Sequence, residues 1–190
     1  MNIFFVDPDP ELAASMLCLQ HRAKMLTESV QILCSAAHNI SPPYAAEYEL
    51  WKPTHLHHPC VTWIENSSAA RRWLVLHAYK LAALHDNMRP DSAINMLDRA
   101  NELLFGLQPA LSVLPKPPQC MPPEFQRAGD PVSAYQLYYA DKARLWATRG
   151  KPHLKMRYKD ATCVPMWLES QLGANWDRFI HFTDDFNRKG

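Results

Sequence analysis

The chain has 190 residues, 47% of them hydrophobic and 21% charged, with a formal net charge of +1. That is the balance of one globular domain with a sizeable core, which excludes disorder throughout and a two-domain enzyme. The longest apolar run, Trp73 to Leu84, is broken by His77 and Lys80, and Asn2 to Val6 stops at Asp7-Pro8-Asp9-Pro10, so neither a membrane span nor a secretory signal is expected.

Ile3 to Val6 is a candidate short strand. Asp9-Pro10, His58-Pro59 and Asp130-Pro131 then mark three helix starts, because an Asp or His before a proline supplies the cap while proline fits the first helical position. The first helix is predicted from Pro10 to His38, and a second helical region from Pro59 to Met88 with a restart at Ser67 or Ser68. A third runs from Asp91 to Phe105 and a fourth from Pro131 to Thr148. Residues 39–58 and 107–130 are long proline-rich connections, and loops of that length in a compact domain often carry function. Tyr158 to Val164 is a second short strand and Trp176 to Asn187 a last amphipathic helix. The expected fold class is therefore all-α, with residues 1–150 as the main domain and 151–190 as an extension packed on it.

Charge is unevenly spread. Residues 1–50 hold two Lys/Arg against six Asp/Glu, whereas Lys142, Arg144, Arg149, Lys151, Lys155, Arg157 and Lys159 follow one another without an acid. Such a run is either a solvated surface or a set of phosphate contacts. The five cysteines are scattered and include no CxxC pair, which argues against a disulfide framework and a cysteine-rich zinc module and fits a reducing cytoplasm.

Three groups of residues have the composition of a site. At 100° per residue, His21, Lys24, Glu28, Gln31, Ser35 and His38 share one arc of the first helix, with Met16, Leu19, Ala23, Leu26, Val30, Leu33 and Ala37 on another. A polar stripe with one Lys and one Glu at i,i+4 reads as a cleft wall; an ordinary i,i+4 ion pair is the competing reading. Around the second helix start, Lys52-Pro53-Thr54-His55-Leu56-His57-His58-Pro59-Cys60 crowds three imidazoles and a thiol into six residues. His55, His58, Cys60 and His38 have the chemistry of metal ligands but no familiar ligand spacing, so no metal and no cofactor are expected, and a phosphate site at the helix start is preferred over structural histidines. On the fourth helix, Tyr135, Tyr138, Tyr139, Lys142 and Trp146 recur at three- and four-residue spacing and lead into the basic run, which suits base stacking beside phosphate contact or, alternatively, a core face. GxGxxG, P-loop, GxSxG and HExxH patterns are missing, leaving dinucleotide and serine-hydrolase chemistry unsupported.

The blocks Lys24-Met25-x-x-Glu28-x-x-Gln31-x-Leu33, Lys52-Pro53-Thr54-His55-x-x-His58-Pro59-Cys60-x-x-Trp63 and Asp130-Pro131-Val132-x-Ala134-Tyr135-x-x-Tyr138-Tyr139 together resemble phage and bacterial proteins described as pyrimidine-dimer DNA glycosylase-like, or endonuclease V-like. The resemblance spans roughly residues 1–148. It implies a compact helical protein of DNA repair or phage DNA metabolism that flips a base out of the duplex, with a freed N-terminal amine as nucleophile and a helix-borne Glu, here Glu28, assisting. Two departures stand out: Leu19-Gln20-His21 replaces an Asp-Lys-Arg run, and Asn2 is too large for efficient removal of Met1, which argues against a residue-2 amine and against lyase activity.

The expected function is thus a glycosylase cleaving the N-glycosidic bond of a damaged or modified pyrimidine. Glu28, Lys24 and His58 would be catalytic. His21, Gln31, His38, Lys52, His55, Trp63, Tyr135, Tyr139, Lys142 and Arg144 would bind DNA. Group transfer to a base at the same site, and non-catalytic binding of DNA or a host protein, are the alternatives.

Overall fold

The computed structural model describes residues 1–84, 91–106, 113–149 and 155–183. Its helices are α1 (Pro10–Ser15), α2 (Leu19–Ile40), α3 (Pro42–Glu47), α4 (Pro59–Glu65), α5 (Ser68–Ala83), α6 (Asp91–Gly106), α7 (Pro131–Thr148) and α8 (Met166–Leu172). A two-stranded parallel sheet, β1 (Met156–Tyr158) with β2 (Ile180–Phe182), pairs Arg157 with His181 at its middle. The protein is mostly helical. Among the described residues no helix is long and apolar enough to cross a membrane.

The capped starts form as their chemistry dictates. Asp9 Oδ1 accepts the Glu11 and Leu12 N–H groups at 2.8 and 2.9 Å, Asp130 Oδ1 accepts that of Ser133 at 3.0 Å, and Ser67 Oγ accepts that of Ala70 at 3.1 Å. Ser67 thereby splits the second helical region into α4 and α5; the expected end at Met88 lies outside the described residues.

α2 is the central element. It packs on α3, α4, α5, α6 and β1, while α7 carries α8 and one side of the small sheet. From Met25 to Ala37 most of α2 is buried, including Met25, Ser29, Ile32, Cys34 and Ser35 outside the expected apolar arc, because elements cover it on several sides.

Five expectations need correction. The connection expected over residues 39–58 contains a helix, α3, because Pro42 and Pro43 fit the first helical positions. The first helix breaks at residues 16–18. There the Tyr139 hydroxyl accepts the Cys18 N–H at 2.8 Å, and Arg22 donates to the freed carbonyls of Leu17 and Ser15, both at 2.9 Å. Ile3 to Val6 is buried but is no strand: among the described residues no strand pairs with it, and several of its polar groups are met locally or by side chains. Asn2 Oδ1 accepts the Ile3 and Phe4 N–H groups at 2.8 and 3.0 Å, and Gln136 donates to the Val6 carbonyl at 3.0 Å. At the other end of the chain, β1 starts two residues before Tyr158 and a 3-10 turn occupies Ala161–Cys163. Trp176–Phe179 is likewise a 3-10 turn that feeds β2 rather than a helix; residues 184–187 of that expected helix lie outside the described residues.

Candidate active site

The polar stripe of α2 is roofed over. The segment 2–6 threads between α2 and α7, and residues 48–58 cross the helix farther along. Glu28 is the chemically exceptional member. One carboxylate oxygen accepts the Asn2 backbone N–H at 2.6 Å, and the other lies 3.5 Å from Lys24 Nζ. The Glu28 side chain is 14% exposed against 65% for Lys24, so the carboxylate is held mainly by the half-buried Asn2 N–H and the lysine is an exposed partner at the rim.

Other members of the stripe have structural duties. His21 is buried, with Nδ1 3.5 Å from Cys18 Sγ and its ring against Phe4, Tyr139 and Trp146. Burial first, then the charges of Lys142 and Lys24, pull its pKa down to about 3, so it is neutral and not a DNA contact. The Ser35 hydroxyl donates to the Thr54 carbonyl at 2.8 Å and accepts the Thr54 N–H at 3.0 Å, while a His38 ring nitrogen sits 3.2 Å from the Trp51 carbonyl. These bonds clasp residues 51–54 onto α2. Gln31 is half-buried, and Lys52 and His55 are exposed.

At the start of α4, His58 Nδ1 accepts the Cys60 N–H at 3.1 Å. The imidazole itself satisfies that backbone donor, and α4 is only seven residues long, so the expected phosphate site at the helix start is replaced by a side-chain cap. Burial lowers the His58 pKa, with the Met1 α-amino group and His55 adding to the shift, and the ring is uncharged at neutral pH.

The sequence reading missed Cys120. His58, Cys60 and Cys120 bring one ligand-type atom each to within 4.8 Å of one another, with the two sulfurs 3.7 Å apart. The hydrogen bond between the two thiols holds Cys120 below the ordinary thiol range, and that same bond, then burial, pushes Cys60 well up. Glu28 is close enough for its charge to act on both His58 and Cys60. No local pattern signals this group, because its third member comes from the proline-rich connection sixty residues on.

The aromatic candidates also change role. Tyr135 and Tyr139 are fully buried, which withdraws both from stacking on a base. The Tyr135 hydroxyl donates to the Pro118 carbonyl at 2.7 Å and accepts the Cys120 N–H at 3.4 Å, and Trp63 Nε1 donates to the Pro115 carbonyl at 3.1 Å. Asn2 Nδ2 completes the fastening by donating to the Cys120 carbonyl at 3.1 Å. Tyr135 and Trp63 are therefore anchors of the Cys120 loop.

Part of the basic run turns inward too. Lys142 Nζ lies 4.6 Å from the Tyr138 ring centroid and 5.9 Å from that of Phe4, and Arg144 donates to the Gln171 carbonyl. Arg149, Arg157 and Lys159 are exposed, and Lys151 lies outside the described residues.

Phe4 and His55, with φ of 42° and 53°, stand on either flank of the Glu28–His58 region and share the left-handed backbone with Glu49 alone among the described non-glycine residues. Each such residue costs on the order of 1 kcal/mol, held by surrounding structure, and such strain concentrates at functional sites. Two surface hollows, of about 270 Å³ beside Tyr44, Tyr48 and Glu102 and about 410 Å³ beside Gln119 and Arg127, are lined by neither Glu28 nor the His58 group. Compared with protein-family models, with curated proteins and with solved structures, the chain matches none.

Proposed function

We propose that the protein processes a base in DNA, as a glycosylase that cleaves the N-glycosidic bond of a damaged or modified pyrimidine after flipping it out of the stack. The observation that carries this reading is Glu28: a largely buried carboxylate fixed by the Asn2 N–H at 2.6 Å, on a stripe where His21, Ser35 and His38 are spent on structure. A fixed carboxylate in a site of low water content stabilises cationic character at C1′ as the bond to the base lengthens, and it needs no reorganisation to do so. The neutral His58 ring supplies a proton-accepting or proton-donating group nearby. Lys24, exposed at the rim, suits a flanking phosphate or the approach of the substrate. Arg149, Arg157 and Lys159 supply exposed cations for the backbone. On the same reading the protein works in the reducing cytoplasm, in keeping with its free cysteines.

The test is Glu28→Gln, assayed for base release on DNA carrying pyrimidine dimers, uracil or modified pyrimidines. Glutamine keeps an acceptor for the Asn2 N–H, so binding should persist while turnover falls about 10²- to 10⁴-fold. Full activity in the variant would overturn the assignment. An intact strand of altered mass in place of a free base would move the reaction to group transfer.

A further inference from the structure

Outside the carboxylate of α2, the group that calls for an explanation is His58, Cys60 and Cys120. Its sulfurs lie 3.7 Å apart, almost twice the length of a disulfide bond. Two thiolates each about 2.3 Å from one tetrahedral ion are separated by about 3.8 Å. The observed spacing is therefore that of a tetrahedral edge. The third donor, an imidazole nitrogen, lies within the same 4.8 Å circle, so small side-chain rotations bring all three onto one ion.

We propose that His58, Cys60 and Cys120 bind one zinc ion. Two thiolates and one imidazole are the donor types zinc prefers, and hard oxygen-seeking ions are disfavoured by sulfur. The scaffold is built to hold the geometry. Cys60 is buried in the first turn of α4, and Cys120 is held at its carbonyl by Asn2 and at its N–H by Tyr135. Nδ1 of His58, which caps the Cys60 N–H, is on the cysteine side of the ring; metal binding exchanges that cap for a metal–nitrogen bond, with Pro59 at the first helical position holding the turn. Both thiols lose their protons to solvent as the ion enters, and the dianionic sulfur pair balances its charge. Three protein donors leave one position of the tetrahedron for water or a substrate atom, the pattern of a catalytic site rather than a closed structural one. The inference stands on the side-chain geometry and is independent of the glycosylase reading.

The deciding experiment uses the reduced, metal-stripped full-length protein titrated with Co²⁺ in the absence of DNA, followed by displacement with Zn²⁺. One equivalent of Co²⁺ should develop thiolate-to-metal charge-transfer bands and the visible bands of a tetrahedral ion, and Zn²⁺ should abolish them. Cys60→Ala and Cys120→Ala should remove the bands. His58→Asn, which retains an acceptor for the Cys60 N–H, should weaken binding at least about tenfold. Cys163→Ala, at a half-buried cysteine outside the group, should leave binding unchanged. Circular dichroism checks that each variant is folded, and the wild-type titration stands without any variant. Absence of the bands when all five thiols are reduced would overturn the proposal, as would bands that survive loss of Cys60 or Cys120. A protein that forms a Cys60–Cys120 disulfide in air but takes up no Co²⁺ when reduced would overturn it equally.

Discussion

His77 provides the sharpest test of how the core handles charge. Its ring is fully buried and stacked on Trp73 at 5.0 Å and 15°, and neither ring nitrogen has a hydrogen-bond partner among the described residues. Burial drives its pKa down to about 3, against 6.5 for the free side chain. A histidine whose folded pKa is depressed contributes stability above pH 6.5 and loses it as the pH falls toward 3, because the unfolded chain takes up a proton that the native state refuses. Each pH unit below 6.5 costs about 1.4 kcal/mol, so by pH 5 the loss is about 2 kcal/mol for His77. His21, also held near 3, loses a similar amount. Together they remove about 4 kcal/mol, a large part of the 5–15 kcal/mol typical of a domain. His77→Phe keeps a ring on Trp73 and removes two unpartnered nitrogens, so it should lie within about 1 kcal/mol of wild type at pH 8. At pH 5 the variant should be more stable by about a further 2 kcal/mol, while the His21 share of the pH slope remains. Urea unfolding followed by tryptophan fluorescence from pH 8 to pH 5 measures this. A constant difference between variant and wild type across that range would refute the reasoning, since carboxylate titrations cancel in the comparison.

The basic run should divide into two classes. Charge reversal at the exposed Arg157 and Lys159 should weaken DNA binding and reduce the slope of log affinity against log salt by about 0.9 for each duplex phosphate left unneutralised, with little effect on folding. Arg144→Ala, which abandons the Gln171 carbonyl, should instead lower stability by about 1–3 kcal/mol in a chemical unfolding curve. Equal loss of binding without loss of stability in both sets would contradict the inward packing of Arg144. Tyr135→Phe should destabilise the fold by about 1–2 kcal/mol and speed alkylation of Cys120, because the Pro118 carbonyl and the Cys120 N–H both lose their partner. An unchanged alkylation rate would show that Tyr135 does not hold that loop.

Helix starts were legible because their signals are local. Asp9-Pro10, His58-Pro59 and Asp130-Pro131 each combine a cap acceptor with a residue that has no N–H to satisfy, and all three open helices. The break before α2 was not legible, since neither glycine nor proline interrupts Met16-Leu17-Cys18. What interrupts the helix there is the hydroxyl of Tyr139, far along the chain, together with the guanidinium of Arg22. Four apolar residues in a row, two of them β-branched, mark residues 3–6 as buried, but a strand also needs a neighbour, and sequence pattern carries no information about one.

The same distinction governs the site. A period of 3.6 residues puts Glu28 and Lys24 on one face, and that follows from geometry alone. Whether a tyrosine stripe stacks on bases or fills a core depends on what faces it, and here the facing element is the segment 2–6, with Phe4 packed edge-on to Tyr139 at 5.1 Å. Asn2 joins the two halves of the site. Its backbone N–H fixes Glu28 on α2, its Nδ2 holds the carbonyl of Cys120, and its Oδ1 shapes the turn through Phe4. A carboxylate from one helix and a cysteine from a loop ninety-two residues later are thus set relative to one another through a single residue, by its backbone N–H on one side and its side-chain amide on the other. A residue of that type near a chain end reads in sequence as an ordinary polar position. Its importance arises because the segment that carries it is drawn into the core, where every backbone polar group must find a partner or cost free energy.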